Sequence, residues 1–239
     1  MKLIIEPTEE LMAESTMHIL LGAMMQDKRV NISLTSGRSP RSLYKMMIPK
    51  VKDQEKFKDI QYYLFDDSPF NGEPYGGNWK EMQEIFFQEA NIPEERIHIT
   101  TLDNWETWDE EIKNAGGIDV MVIGLGYDGH FCGNCPRVTP LDSYTYCMKY
   151  ADKQAENPSY GDRPNQPYSI TMGPRSLMRV KHLVMIVNGD EKAEILKRML
   201  DEPISEDNPS TILKLHPNLT IIADAEAAKY INLEDYKRI

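Results

Sequence analysis

The chain has 239 residues, with 27 Lys and Arg against 38 Asp and Glu and a formal net charge of −11. A surface this acidic repels phosphate backbones and argues against nucleic-acid binding as the main activity. With 41% hydrophobic and 27% charged residues the composition excludes wholesale disorder, and no apolar stretch approaches the roughly 20 residues of a membrane helix.

Lys2–Ile5 reads as a short strand. Thr8 follows as an N-cap, with Glu9 and Glu10 favourably placed against the helix dipole. Ala13, Met17, Leu20, Leu21 and Met24 recur at helical spacing, so one face of this helix is core. Asn31–Thr35 is a second strand, followed by a helix from Pro40 to about Met47. Ile60–Phe65 is an apolar, aromatic strand and Trp79–Ala90 a helix. Arg96–Thr100 and Asp119–Ile123 read as strands, with a helix near Trp105–Asn114 between them. The polar stretch 140–167 carries four prolines and reads as a long loop or excursion. Strands at Tyr168–Thr171, Leu183–Val187 and Leu219–Ala223 follow, with a helix at Glu191–Leu200.

Strand and helix alternate, and several strands are apolar on both faces, which predicts a mostly parallel sheet covered on both sides by helices. The length suits one domain over residues 1–239. The opening MKLIIEPTEE lacks a signal-peptide core and cleavage site, so a cytoplasmic protein is expected. Cys132, Cys135 and Cys147 are too few and too odd in number for a disulfide framework.

In parallel sheets ligands bind beyond the carboxyl ends of the strands, which directs attention to three loops and one helix start. Thr35-Ser36-Gly37-Arg38-Ser39-Pro40 runs from a strand into a helix; small residues, hydroxyls and a guanidinium suit an anion there. An ordinary strand–helix turn with a Ser cap reads equally well. Asp66 and Asp67 end a very apolar strand, where partial desolvation can raise a carboxyl toward general-base use. A solvated turn before Pro69 is the plainer alternative. The segment from Gly124 to Pro136 (GLGYDGHFCGNCP) fits the three-glycine dinucleotide pattern, but Gly133 and Pro136 break the helix that pattern should open. A thiol pair at Cys132 and Cys135, a metal site with Asp128 and His130, an Asp128–His130 acid/base pair and a structural turn all remain open for it. Lys192, at a strand-to-helix junction, is placed to meet a bound anion or to lie solvated at a helix start.

Taken together, LTSGRSP (34–40), FDDSPFNG (65–72), IGLGYDGHFCGNCP (123–136), SITMG (169–173), VNGDEKA (187–193) and LKLHP (213–217) resemble the glucosamine-6-phosphate deaminase/isomerase and 6-phosphogluconolactonase superfamily. NCP, LHP and GPRSLM lean to its isomerase-like branch. The resemblance implies a Rossmann-like three-layer α/β sandwich whose partner is a phosphorylated sugar, with no metal and no redox cofactor. It leaves a homo-oligomer open.

By position, the resemblance implies that Ser36, Gly37, Arg38 and Ser39 cradle the phosphate, that Lys192 pairs with it, and that Asp67 contributes to substrate binding. Asp66 would move a proton between C1 and C2, while Asp128 and His130 assist ring opening. The implied reaction is isomerisation or deamination of a hexose or amino-hexose 6-phosphate. Lactone hydrolysis and sugar-phosphate binding without turnover are the alternatives. The chain departs from the deaminases in carrying Cys135 where they have Glu and Asp67 where they have Glu. A thiol, mostly protonated at pH 7, replaces a carboxylate poorly. The family's phosphate-binding arginine has no clear counterpart; Arg163 lies in the corresponding region.

Overall fold

A computed structural model describes residues 1–236. Seven strands pair entirely in parallel: β1 (Lys2–Glu6), β2 (Val30–Leu34), β3 (Ile60–Leu64), β5 (Ile97–Ile99), β6 (Val120–Gly124), β9 (Leu183–Val187) and β10 (Leu219–Asp224). Their order across the sheet is β1-β10-β9-β6-β2-β3-β5. From β2 the chain proceeds outward through β3 and β5, then returns to β6 and proceeds the other way through β9 and β10. The reversal lies between β2 and β6, and a crevice opens at the carboxyl ends of such a pair.

Alternation along each strand feeds two cores. Ile32, Leu34, Tyr62, Leu64, Val120, Val122, Val184 and Ile186 face α1 (Glu9–Met24) and α2 (Arg41–Val51). Tyr63, Phe65, Met121, Ile123, Met185 and Val187 face the opposite layer. There α4 (Trp108–Asn114), α6 (Pro174–Leu177) and α7 (Ala193–Asp201) contribute Trp108, Ile112, Leu177, Ile195, Leu196 and Met199. The result is the α/β sandwich with a parallel central sheet that the patterning predicts. Thr8 caps α1, its side chain accepting from the Leu11 amide at 3.3 Å. The helix expected over Trp79–Ala90 begins as α3 (Gly77–Met82) and continues as a π turn over Gln83–Phe87. Among the described residues no helix is long and apolar enough to cross a membrane.

Two local expectations need correction. The apolar strand stops at Leu64, and Asp66–Asp67 forms a separate strand, β4, antiparallel to β8 (Tyr168–Thr171). The stretch 140–167 is not simply a loop: it contains β7 (Tyr146–Lys149), which pairs with β8, and α5 (Tyr150–Glu156). Pro140 and Pro158 flank these elements, so the prolines punctuate regular structure without interrupting it. The small sheet β4-β8-β7 is joined to the carboxyl end of β3, since Asp66 follows Leu64 by two residues.

Candidate active site

A cavity of about 680 Å³ opens where the post-β2, post-β3 and post-β6 loops meet. It is lined by Ser36, Gly37, Arg38, Ser39, Asp66, Asp67, His130 and Lys192, so nearly all the residues singled out in the sequence converge on it. The far wall comes from the 140–167 excursion, through Tyr150, Lys153, Ser159, Tyr160, Arg163 and Gln166.

Asp66 begins β4, and its Oδ1 accepts from the Asn78 side chain at 3.1 Å. Burial is the main influence on its carboxyl, with nearby Asp67 adding to it; Lys153 and Asn78 pull the other way. The outcome is a pKa pushed up to about 7. The side chain is only half-buried, because water reaches it through the cavity while protein encloses its other sides. Asp67 differs in kind. Its Oδ1 accepts from the amides of Ser68 (2.8 Å) and Asn78 (3.2 Å), and its Oδ2 from that of Gly76 at 2.6 Å. It closes the 68–78 loop with a buried carboxyl, and a Cβ at Gly76 would lie 2.6 Å from Asp67 Oδ1.

Opposite stands the Asp128–His130 pair, with Nδ1 of the imidazole 2.6 Å from Asp128 Oδ1. The other oxygen, Oδ2, accepts from Tyr160 OH at 2.5 Å and from Asn157 Nδ2 at 3.1 Å. Burial alone would raise this carboxyl, but the hydrogen bonds from His130 and Tyr160 outweigh it and hold Asp128 well below the usual carboxylate range. An ionised carboxylate only accepts, so Nδ1 carries the proton and Nε2 remains free for the cavity. A Cβ at Gly126 would lie 2.1 Å from His130 Nδ1; only glycine lets the ring occupy this place.

At the other end of the cavity Lys192 donates to the Leu125 carbonyl. Burial lowers its pKa against the opposing field of Glu191. Arg38 lies 3.5 Å from Glu191, with its side chain 85% exposed, so it is a rim group with little energetic weight as placed. Gly37 has φ +100°, and its amide donates to Glu81 Oε2 at 3.2 Å. Arg163 lies with its guanidinium 4.9 Å from the Tyr150 ring centre and reaches the cavity from the excursion.

Cys135 is buried, and burial pushes its thiol up; the same cause raises Cys132. Both are therefore neutral at pH 7. Among the described residues, no group of three or more His, Cys, Asp or Glu is placed to hold a metal ion. Sequence reasoning missed Asn78, Lys153, Asn157 and Tyr160. Asn78 opens a short helix with no motif around it, and the other three lie in the stretch expected to be a loop.

The family model describing glucosamine-6-phosphate isomerases/6-phosphogluconolactonase matches residues 7–221. The chain is 32% identical over 233 residues to the glucosamine-6-phosphate deaminase of Lysinibacillus sphaericus (strain C3-41), covering 93% of this chain and 98% of that one. It is 30% identical over 253 residues to the glucosamine-6-phosphate deaminase of Thermoanaerobacter pseudethanolicus, covering 100% and 98%. A solved monomeric glucosamine-6-phosphate deaminase superposes with a TM-score of 0.80 at 22% identity, over 97% of this chain and 100% of that one. A 6-phosphogluconolactonase from Trypanosoma cruzi superposes with a TM-score of 0.75 at 14% identity, over 97% of each chain. At those identities the two structures speak to the fold alone.

Proposed function

The chain belongs to the family of glucosamine-6-phosphate isomerases and 6-phosphogluconolactonases, and on that footing we propose that it is a sugar-phosphate isomerase or deaminase acting on a hexose or amino-hexose 6-phosphate. The observation that carries this reading is the pairing of two differently tuned acids across one cavity. Asp66 is raised to about 7, while Asp128 is held ionised against His130. A carboxyl with a pKa near 7 takes a carbon-bound proton and returns it at neutral pH.

The sugar phosphate would lie with its phosphate at Ser36–Ser39 and Lys192, its ring oxygen toward His130, and C1 and C2 over Asp66. His130, oriented by Asp128, exchanges a proton with the ring oxygen as the hemiacetal opens. Asp66 then removes the C2 proton and delivers it to C1. No metal or redox cofactor is required for these steps. Asp67, tied into backbone amides, would support substrate binding by fixing the loop that presents Asp66. The neutral Cys135 thiol provides no carboxylate where the deaminases carry Glu, so ring opening would rest on Asp128 and His130.

A panel of glucose 6-phosphate, glucosamine 6-phosphate and 6-phosphogluconolactone tests the reading. Ketose formation from an aldose 6-phosphate is expected, with or without ammonia. Acid release confined to the lactone would replace the isomerase by a hydrolase, and binding of all three without turnover would leave only a sugar-phosphate receptor.

A further inference from the structure

Lys153 is 5% exposed, which is rare for a lysine, because an ammonium removed from water needs partners. Its Nζ donates to Ser169 Oγ at 2.8 Å. The Cys135 side chain is a second hydrogen-bond partner for a group with three donors, and among the described residues no carboxylate lies within ion-pair distance of it. The group nevertheless lines the cavity, and Gly133, also on the cavity wall, leaves it room: a Cβ there would lie 3.2 Å from Nζ. Asp66 and Cys135 are its electrostatic neighbours, so the amine stands on the side of the cavity where the carbon-bound proton would move. No role in the proposed reaction has yet used it.

We propose that Lys153 is a catalytic residue, relaying the hydroxyl proton between the C2 and C1 oxygens while Asp66 moves the carbon-bound one, and thereby selecting a sugar with a hydroxyl at C2. The inference rests on the isomerase reading above. As Asp66 takes the proton from C2 of the open-chain aldose, the pair of that C–H bond forms the C1–C2 double bond. The carbonyl π pair moves onto O1, which takes a proton from the Lys153 ammonium. The neutral amine then accepts the proton of the C2 hydroxyl as O2 becomes a carbonyl, and the double-bond pair takes the proton from Asp66 at C1. Ketose, carboxylate and ammonium remain, with every proton accounted for. Burial lowers the Lys153 pKa, which eases the first half of this relay, donation to O1. An ammonium substituent at C2 would instead face a second cation in a confined space, and nearby like charges repel strongly there.

The test uses binding, so that it does not depend on turnover. Calorimetric affinities are compared for 5-phosphoarabinonohydroxamate, which mimics the enediolate, and for sorbitol 6-phosphate, which carries only neutral hydroxyls at C1 and C2. Lys153→Met should weaken the hydroxamate about 10–100-fold and sorbitol 6-phosphate distinctly less, because the ammonium meets an anionic acceptor in the first and only neutral hydroxyls in the second. Lys153→Gln, which keeps a polar head beside Ser169, should show the same pattern and serves if the Met variant fails to fold. Hydroxamate affinity unchanged in a folded variant would overturn the role of Lys153 alone. Wild-type protein that binds neither ligand would overturn the sugar-phosphate reading and this inference with it. In turnover, wild type should prefer glucose 6-phosphate to glucosamine 6-phosphate, and Lys153→Met should narrow the gap; the opposite preference would refute the selection.

Discussion

Replacing Asp66 by Asn should make the protein inactive and, above neutral pH, more stable. The folded-state pKa of about 7 stands above the ordinary 3.8. Between those values the folded chain therefore holds a proton that the unfolded chain has released. The stability contributed by that proton is complete below the unfolded value and is lost as the pH rises through the folded one. The rise spans roughly three pH units, and at about 1.36 kcal/mol for each it sets an upper bound of about 4 kcal/mol. Water reaching Asp66 through the cavity reduces that figure. Asn78 and Lys153 already act in favour of the charged form and are included in it. Asn has no proton to lose. Urea denaturation at pH 5 and pH 8 should show the stability of Asp66→Asn rising relative to wild type by about 1–2 kcal/mol across the interval, once screening by that water is allowed for. Isomerase turnover should fall about 10²–10⁴-fold, with no exchange of the C1 hydrogen into solvent. Parallel pH–stability curves for the two proteins would refute the desolvated carboxyl. Near-normal turnover in the folded variant would remove Asp66 from the chemistry.

Lys192→Ala should raise KM for the phosphorylated sugar about 10–150-fold and leave the slow reaction of the free sugar unchanged, since the lost group is one charged donor; equal losses on both sugars would place Lys192 elsewhere in the mechanism. Arg38→Ala, which removes an exposed group 3.5 Å from Glu191, should change KM by less than about 5-fold, and a larger loss would show that Arg38 swings onto the phosphate. Tyr160→Phe removes the 2.5 Å donor to Asp128 and should slow ring opening by about 10-fold while sparing an open-chain substrate analogue; an equal effect on both would assign Tyr160 to folding. Cys135→Glu places a carboxylate beside Lys153 and should raise ammonia release from glucosamine 6-phosphate while lowering turnover of glucose 6-phosphate, and a fall on both would count against the position.

The sheet was legible because its strands are short apolar runs and its helices keep a 3.6-residue stripe, so tertiary placement only completed what local pattern began. The chemistry on its rim was legible for a related reason. A parallel sheet puts its loops at one end, and Asp66, Asp128, His130 and Lys192 each lie within a few residues of a strand's carboxyl end. The wall supplied by 140–167 had no such marker. Lys153 sits in Tyr-Ala-Asp-Lys-Gln-Ala-Glu, a run that reads as solvated helix surface, and its burial arises only when α5 packs against Ser169 of β8. Tyr160 and Asn157 reach Asp128 from roughly 30 positions downstream, a contact that neither periodicity nor spacing encodes. Apart from Lys153, these missed residues are polar groups that tune the legible ones: Asn78 hydrogen-bonds Asp66, and Tyr160 and Asn157 hydrogen-bond Asp128. A local pattern can therefore identify the groups at the strand ends, whereas a buried lysine such as Lys153 and the partners that hold Asp128 are brought in by the excursion. Relatives that share the three loops but differ in the excursion should accordingly differ in substrate and pH range before they differ in fold.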